Sequence, residues 1–121
     1  MVSSRKYQTG KHLEAFLLLL IKEKPDHGGA LMTRLTKFLP GAWTIDDGRL
    51  YRMLRELESS GQVTSHWLSE ESGAPIRSYS ITLMGESRLT DWADEIRLRR
   101  SSLNAFLTLW ETLTHNQDKP H

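Results

Sequence analysis

Three arginines, Arg49, Arg52 and Arg55, recur every third residue through a stretch whose apolar members are Leu50, Met53, Leu54 and Leu57. That apolar spacing is the inner stripe of a helix, and it leaves Arg52, Arg55 and Ser59 projecting from the opposite side. A guanidinium is planar and carries its donors in a fork, so it can grip a phosphate or read guanine in a bidentate manner. The competing structural reading is a solvated helix face on which the arginines pair with Glu56 and Glu58. Tyr51 stands beside the core face, either buried or offering its hydroxyl to a phosphate. Thr33 and Lys37 lie on the preceding helical stretch and could reach a nucleic-acid backbone. Further along, Arg77 and a loop tip at Gly73 are candidates for backbone or minor-groove contact, although Glu70 and Glu71 in that loop oppose phosphate.

Other chemistries lack their residues. There is no cysteine, which excludes disulfides, thiolate metal sites and a cysteine nucleophile. The five histidines, His12, His27, His66, His115 and His121, are dispersed and lack metal-ligand spacing. His27 reads as a helix-start residue that hydrogen-bonds locally. No serine sits in a Gly-x-Ser-x-Gly elbow and no phosphate loop is present. The expectation is therefore no enzyme, no cofactor and no metal.

The elements that must position these side chains follow from periodicity and punctuation. Leu13, Phe16, Leu17, Leu20 and Ile21 form the buried stripe of a first helix, ended by Lys22-Glu23-Lys24 and Pro25. Asp26 is the expected N-cap of a second helix carrying Leu31, Met32, Leu35 and Phe38 inward. Pro40-Gly41 breaks the chain, and Asp46 then caps the arginine-bearing third helix, with Asp47 at its positive end. Gly61 stands where a left-handed C-terminal residue belongs. Residues 63–67 and 77–82 alternate β-branched and aromatic residues around a loop, which predicts a β-hairpin.

After Gly85 a last helix is expected to run to about Thr114. Leu89, Trp92, Ile96, Arg99, Leu103, Phe106, Trp110 and Leu113 follow a 3-4-3-4 spacing, the pattern of a coiled-coil seam. Residues 115–121 read as a flexible tail. The fold class is thus mainly α with a small β-hairpin: a winged helix-turn-helix domain over residues 1–84 and a C-terminal dimerisation helix over 85–114. The second and third helices form the turn, the third addresses the major groove of double-stranded DNA, and the hairpin is the wing.

With 121 residues and 38% hydrophobic content the chain suits one modest core. The longest apolar run, Ala15 to Ile21, is too short for a membrane span, and the cytoplasm is the expected location. A net charge of +1 means that any DNA-binding surface must come from local sorting of charge. Residues 1–12 carry Arg5, Lys6 and Lys11 with no acid, whereas residues 86–95 carry four acids against Arg88. A basic N-terminus of this kind is more often a solvated tail than a functional arm.

These motifs together resemble the PadR-type transcription regulators. Leu17-Leu18-Leu19-Leu20…Pro25-Asp26-His27-Gly28 is similar to the opening of that family. Asp47-Gly48-Arg49-Leu50-Tyr51-Arg52-Met53-Leu54-Arg55-Glu56-Leu57 through Gly61 resembles its recognition helix, and Gly73 to Thr82 followed by Gly85 resembles its wing. Trp43 and Trp92 also have family counterparts. Departures are Gly29 in place of an aromatic, Asp47 and Arg52 where prolines are common, and Ser78 in place of the first of two wing aromatics. The resemblance implies a homodimeric, sequence-specific DNA-binding regulator, here expected to be a repressor on an inverted-repeat operator. It also implies a small aromatic effector for some members. The seam then has two readings. One is plain dimer packing by Leu89, Leu103, Phe106, Trp110 and Leu113. The other adds an effector pocket walled by Trp92, Ile96 and Arg99. The alternative function is a winged-helix protein-interaction module that does not read DNA.

Overall fold

The computed structural model describes residues 7–8, 10–41, 43–69 and 73–118. The basic Arg5 and Lys6, the loop acids Glu70 and Glu71, and tail residues 119–121 lie outside the described residues. The chain divides into two compact units, residues 1–89 and residues 90–121.

In the first unit, a short strand β1 (Tyr7–Gln8) and a 3-10 turn (Gly10–His12) lead into α1 (Leu13–Glu23). Leu13, Ala15, Leu17, Leu18, Leu20 and Ile21 of α1 are buried. The last carbonyls of a helix have no partner within it, and here Arg34 of the next helix supplies donors. Its guanidinium donates to the carbonyls of Leu20 (2.7 Å) and Lys24 (3.0 Å) and pairs with Glu23 (3.1 Å) and Asp26 (3.3 Å). A cation at this end of α1 also opposes the negative pole of the helix.

Strand β2 (Asp26–His27) runs directly into α2 (Gly28–Phe38). The N-cap is His27, whose Nδ1 accepts from the Ala30 N–H, and not the expected Asp26. Asp26 is diverted: it pairs with Tyr79 as a strand residue, accepts from the His27 N–H at 3.0 Å and binds Arg34. Leu31 and Leu35 are buried as expected, but Phe38 is exposed and meets Phe16 edge-on at 6.1 Å.

Strand β3 (Trp43–Thr44) pairs in parallel with β1. Helix α3 (Asp47–Ser59) starts at Asp46, which accepts from the Gly48 N–H at 3.3 Å. Leu50, Leu54 and Leu57 are its buried face. Gly61 closes it at φ +81°, a conformation that L side chains avoid. Strands β4 (Val63–Leu68) and β5 (Ile76–Ile81) form the hairpin, and β2 joins it to make an antiparallel sheet in the order β2-β5-β4.

The last helix, α4 (Leu83–Asp118), begins before Gly85 rather than after it and runs past Thr114. Thr82 explains the start. Its hydroxyl accepts from the Gly85 N–H (3.1 Å) and itself reaches the carbonyls of Gly61 (2.6 Å) and Gln62 (3.0 Å). Gly85 is needed for closeness and not as a break, because a Cβ there would stand 2.2 Å from the Gln62 carbonyl oxygen. Two ion pairs, Lys22 with Glu86 and Glu14 with Arg88, tie these first turns to α1.

The second unit is the remainder of α4. Leu98, Leu103, Phe106, Leu107, Leu109, Trp110 and Leu113 are all between 48% and 69% exposed, while Trp92 is buried. No helix among the described residues is long and apolar enough to cross a membrane.

Candidate nucleic-acid interface

Helix α3 is held by its three buried leucines, so the side chains a half-turn away are fixed outward. Arg52 and Arg55 are both exposed, and with Glu56, Ser59 and Ser60 they line one open concavity on the outer face of the helix. Two guanidinium forks and the Ser59 hydroxyl make a donor-rich surface suited to phosphate oxygens and the acceptor edge of guanine, while the Ser60 hydroxyl is spent on the Glu56 carbonyl at 2.9 Å. Glu56 brings the one carboxylate into that surface and would accept from a base amino group.

The remaining candidates separate by position. Arg49 turns inward: its Nη2 donates to the Gly10 carbonyl, stapling α3 to the segment before α1. Tyr51 is 42% exposed, and its ring lies over the start of α2, where a Cβ on Gly28 would come within 2.3 Å of Cε1. Gly28 therefore lets the phenol, ring and hydroxyl alike, lie against the α2 N-terminus. Thr33 donates to the Gly29 carbonyl at 3.2 Å and Lys37 is exposed in the last turn of α2. Gly73 is exposed at the hairpin loop with open space around it.

Arg77 sits on β5 opposite Trp67 of β4. Its guanidinium carbon lies 4.8 Å from the centre of the Trp67 ring, and Nη1 is 3.9 Å from the Glu58 carboxylate of α3. Glu58 in turn accepts a 2.6 Å hydrogen bond from the Ser65 hydroxyl. Tyr79, two residues along β5 from Arg77, is buried, and burial raises its phenol above the ordinary 10.0 against the lowering effect of Arg77. The charges of Glu58 and Arg55 also reach it. The middle and loop-side half of the hairpin and the end of α3 thus form one cluster.

Sequence reading missed the Trp67–Arg77 stack, and it set Glu58 against the arginines of its own helix, whereas Glu58 faces Arg77 of β5. The signal was available for Trp67, since period-two alternation in a hairpin sets it on the same face as Arg77. In the second unit, Arg99 pairs with Glu95 of its own helix at 3.4 Å. Ile96 and the seam residues Leu103, Phe106, Trp110 and Leu113 are exposed, whereas Leu89 is partly covered. Leu98, Leu107 and Leu109 widen that apolar surface beyond the 3-4 spacing.

Comparison with known proteins agrees with this geometry. Residues 17–91 match the profile of the transcriptional regulator PadR-like family. The fold is similar to a PadR family regulator from Clostridium difficile R20291, with TM-score 0.70 and 21% identity over 79% of this chain and 98% of that one. A PadR-like regulator from Bacillus cereus gives TM-score 0.71 and 20% identity over 82% of this chain and 94% of that one. A conserved protein of unknown function described as a potential transcriptional factor is 31% identical, with TM-score 0.68, over 91% of this chain and 94% of that one. No curated protein sequence gives a significant match. The profile spans more than half of the chain and covers α2, α3 and the hairpin, the elements that build the basic face. This chain therefore belongs to the PadR-like family of transcriptional regulators, DNA-binding proteins without enzymatic activity.

Proposed function

We propose that the protein is a cytoplasmic repressor that binds an inverted-repeat operator as a homodimer, with α3 in the major groove and the hairpin as a wing on the adjacent backbone. The observation that carries this reading is the exposed Arg52 and Arg55 pair, set on a helix whose other face is locked by Leu50, Leu54 and Leu57. Around it stand Tyr51, Thr33, Lys37, Gly73 and Arg77 as backbone contacts. Arg49 is a contact only if it gives up the Gly10 carbonyl.

Dimerisation is supported by the run of large exposed side chains from Leu98 to Leu113. A single chain rarely leaves so many on one element, and such a surface is normally covered by a partner. A second copy is the natural cover, because a heptad-spaced helix matches itself. Release from DNA by a small aromatic ligand is the further part of the proposal. Ile96 and Arg99 would offer an apolar wall and a cation to such a ligand, and the Trp92 indole, buried in the single chain, would offer its ring face only once uncovered.

The test is selection of bound sequences from random duplexes at fixed salt. A two-fold symmetric site, with half-sites roughly one helical turn apart, is expected, together with a dimer in sedimentation at micromolar concentration. Absence of any enriched sequence would favour the protein-interaction reading.

A further inference from the structure

Trp67 is an unusual residue for the outer strand of a wing. It is 62% exposed on β4, the edge strand of the sheet, where a large ring gains little from burial. Its ring instead stacks on a cation, the Arg77 guanidinium. The register pairs Trp67 with Arg77 and Ser65 with Tyr79, so these four side chains share a face. The Ser65–Glu58 hydrogen bond identifies that face as the one turned to the end of α3. Arg77 accordingly lies between a ring 4.8 Å away and a carboxylate 3.9 Å away. The carboxylate is beyond hydrogen-bonding distance, so the guanidinium is restrained by the Trp67 ring and by its side-chain hydrogen bond with the Tyr79 phenol on the same face.

We propose that Trp67 is a positioning residue for DNA binding: its ring holds the Arg77 guanidinium at the junction of wing and α3, where that guanidinium meets a backbone phosphate. The proposal rests on the DNA-binding reading above. A guanidinium held by its π-surface keeps its N–H edges available, so stacking on Trp67 and gripping a phosphate are compatible. Glu58 assists by being a weak, displaceable partner. One of its carboxylate oxygens, Oε2, accepts from Ser65 and the other, Oε1, stands 3.9 Å from Arg77, so it biases Arg77 toward α3 without saturating its donors. The long arginine stem is thereby ordered before DNA arrives, and less freedom is lost on binding.

The experiment titrates a labelled mixed-sequence duplex, and the duplex recovered by selection, over a series of salt concentrations. Arg77→Ala should weaken both complexes alike and lower the slope of log affinity against log salt by about 0.9, the signature of one lost phosphate contact. Trp67→Ala should weaken both about two- to fivefold, as expected for an exposed cation–π contact. Thermal melting should be near wild type because the ring is exposed. Trp67→Phe, which keeps a ring face, should recover most of the loss. In the Arg77→Ala background, Trp67→Ala should add almost nothing.

Full additivity of the two alanine variants would overturn the proposal, since Trp67 would then touch DNA by itself. So would a Trp67→Phe as weak as Trp67→Ala, or a Trp67→Ala as tight as wild type. If the wild-type chain bound neither duplex, the DNA-binding reading would fail first, which is a different result from any of these.

Discussion

Tyr79 ties the chemistry of the wing to the stability of the fold. Its phenol is buried beside Arg77 and its pKa is raised above 10.0 by that burial. Below about pH 10 the group is neutral in both folded and unfolded chains, and pH has no leverage through it. As pH climbs past the unfolded value the unfolded chain loses its proton first, so unfolding gains. Stability should fall on the alkaline side, and Tyr79→Phe should flatten that fall in denaturant titrations carried out at increasing pH. An unchanged alkaline limb would show that another group controls it. Arg55 tests the neighbouring surface. Because its stem leaves a helix face opposite buried Leu54 and Leu57, Arg55→Ala should leave melting intact. It should weaken selected-site binding by roughly 1–3 kcal/mol and relax preference at one operator position. Equal weakening at every sequence would instead make Arg55 a phosphate contact.

At the scale of elements, the decisive joint is where α3 ends and α4 begins. Gly61, Gln62, Thr82 and Gly85 interlock there through the Thr82 hydroxyl, with no room for a side chain on Gly85. Gly85→Ala would drive a methyl group into a backbone carbonyl that cannot swing aside, at a cost of about 1–3 kcal/mol. Gly41→Ala, with open space around it and no positive φ, should be neutral or slightly stabilising. Equal melting temperatures for the two variants would mean that the joint is softer than its geometry. This joint was not legible in the sequence, where a glycine reads as a helix breaker and Thr82 as the end of a strand. Helix α3 was legible in full, because an Asp cap, a leucine stripe and a terminal glycine are all local signals. Strand β2 was not, since two residues carry no period, and so the cap moved from Asp26 to His27. Likewise Arg34 and Arg49 look like solvent-facing arginines along the chain. Only the fold brings the carbonyls of Leu20 and Gly10 to them.

For the whole molecule, Arg99 is the residue that bears on how the proposed dimer would read DNA and let it go. The 3-4 spacing puts it on the proposed seam, yet its guanidinium lies beside Glu95 of the same helix, and the side chain is 40% exposed in the single chain. If a second α4 covered that surface, the Arg99–Glu95 pair would be partly desolvated, and a buried ion pair contributes little net stability. The apolar residues on either side behave differently. Leu103 to Leu113 expose only rings and aliphatic groups at seam positions, which gain from contact with a like surface. Two copies should therefore close tightly toward the C-terminal end and stay loose near Arg99, next to Trp92 and Ile96. A loose stretch nearer the winged-helix units allows two crossing geometries of small energy difference. A ligand that favours one of them would alter the spacing of the two α3 helices, and its leverage equals its differential affinity for the two. Arg99→Leu removes the pair and supplies a side chain that packs in a seam. The variant should dimerise more tightly in sedimentation, melt higher, and hold its operator when challenged with aromatic ligands that release the wild-type protein. Weaker dimerisation would place Arg99 in an intersubunit ion pair that the seam depends on, and an unchanged ligand response would remove the loose stretch from the mechanism of release.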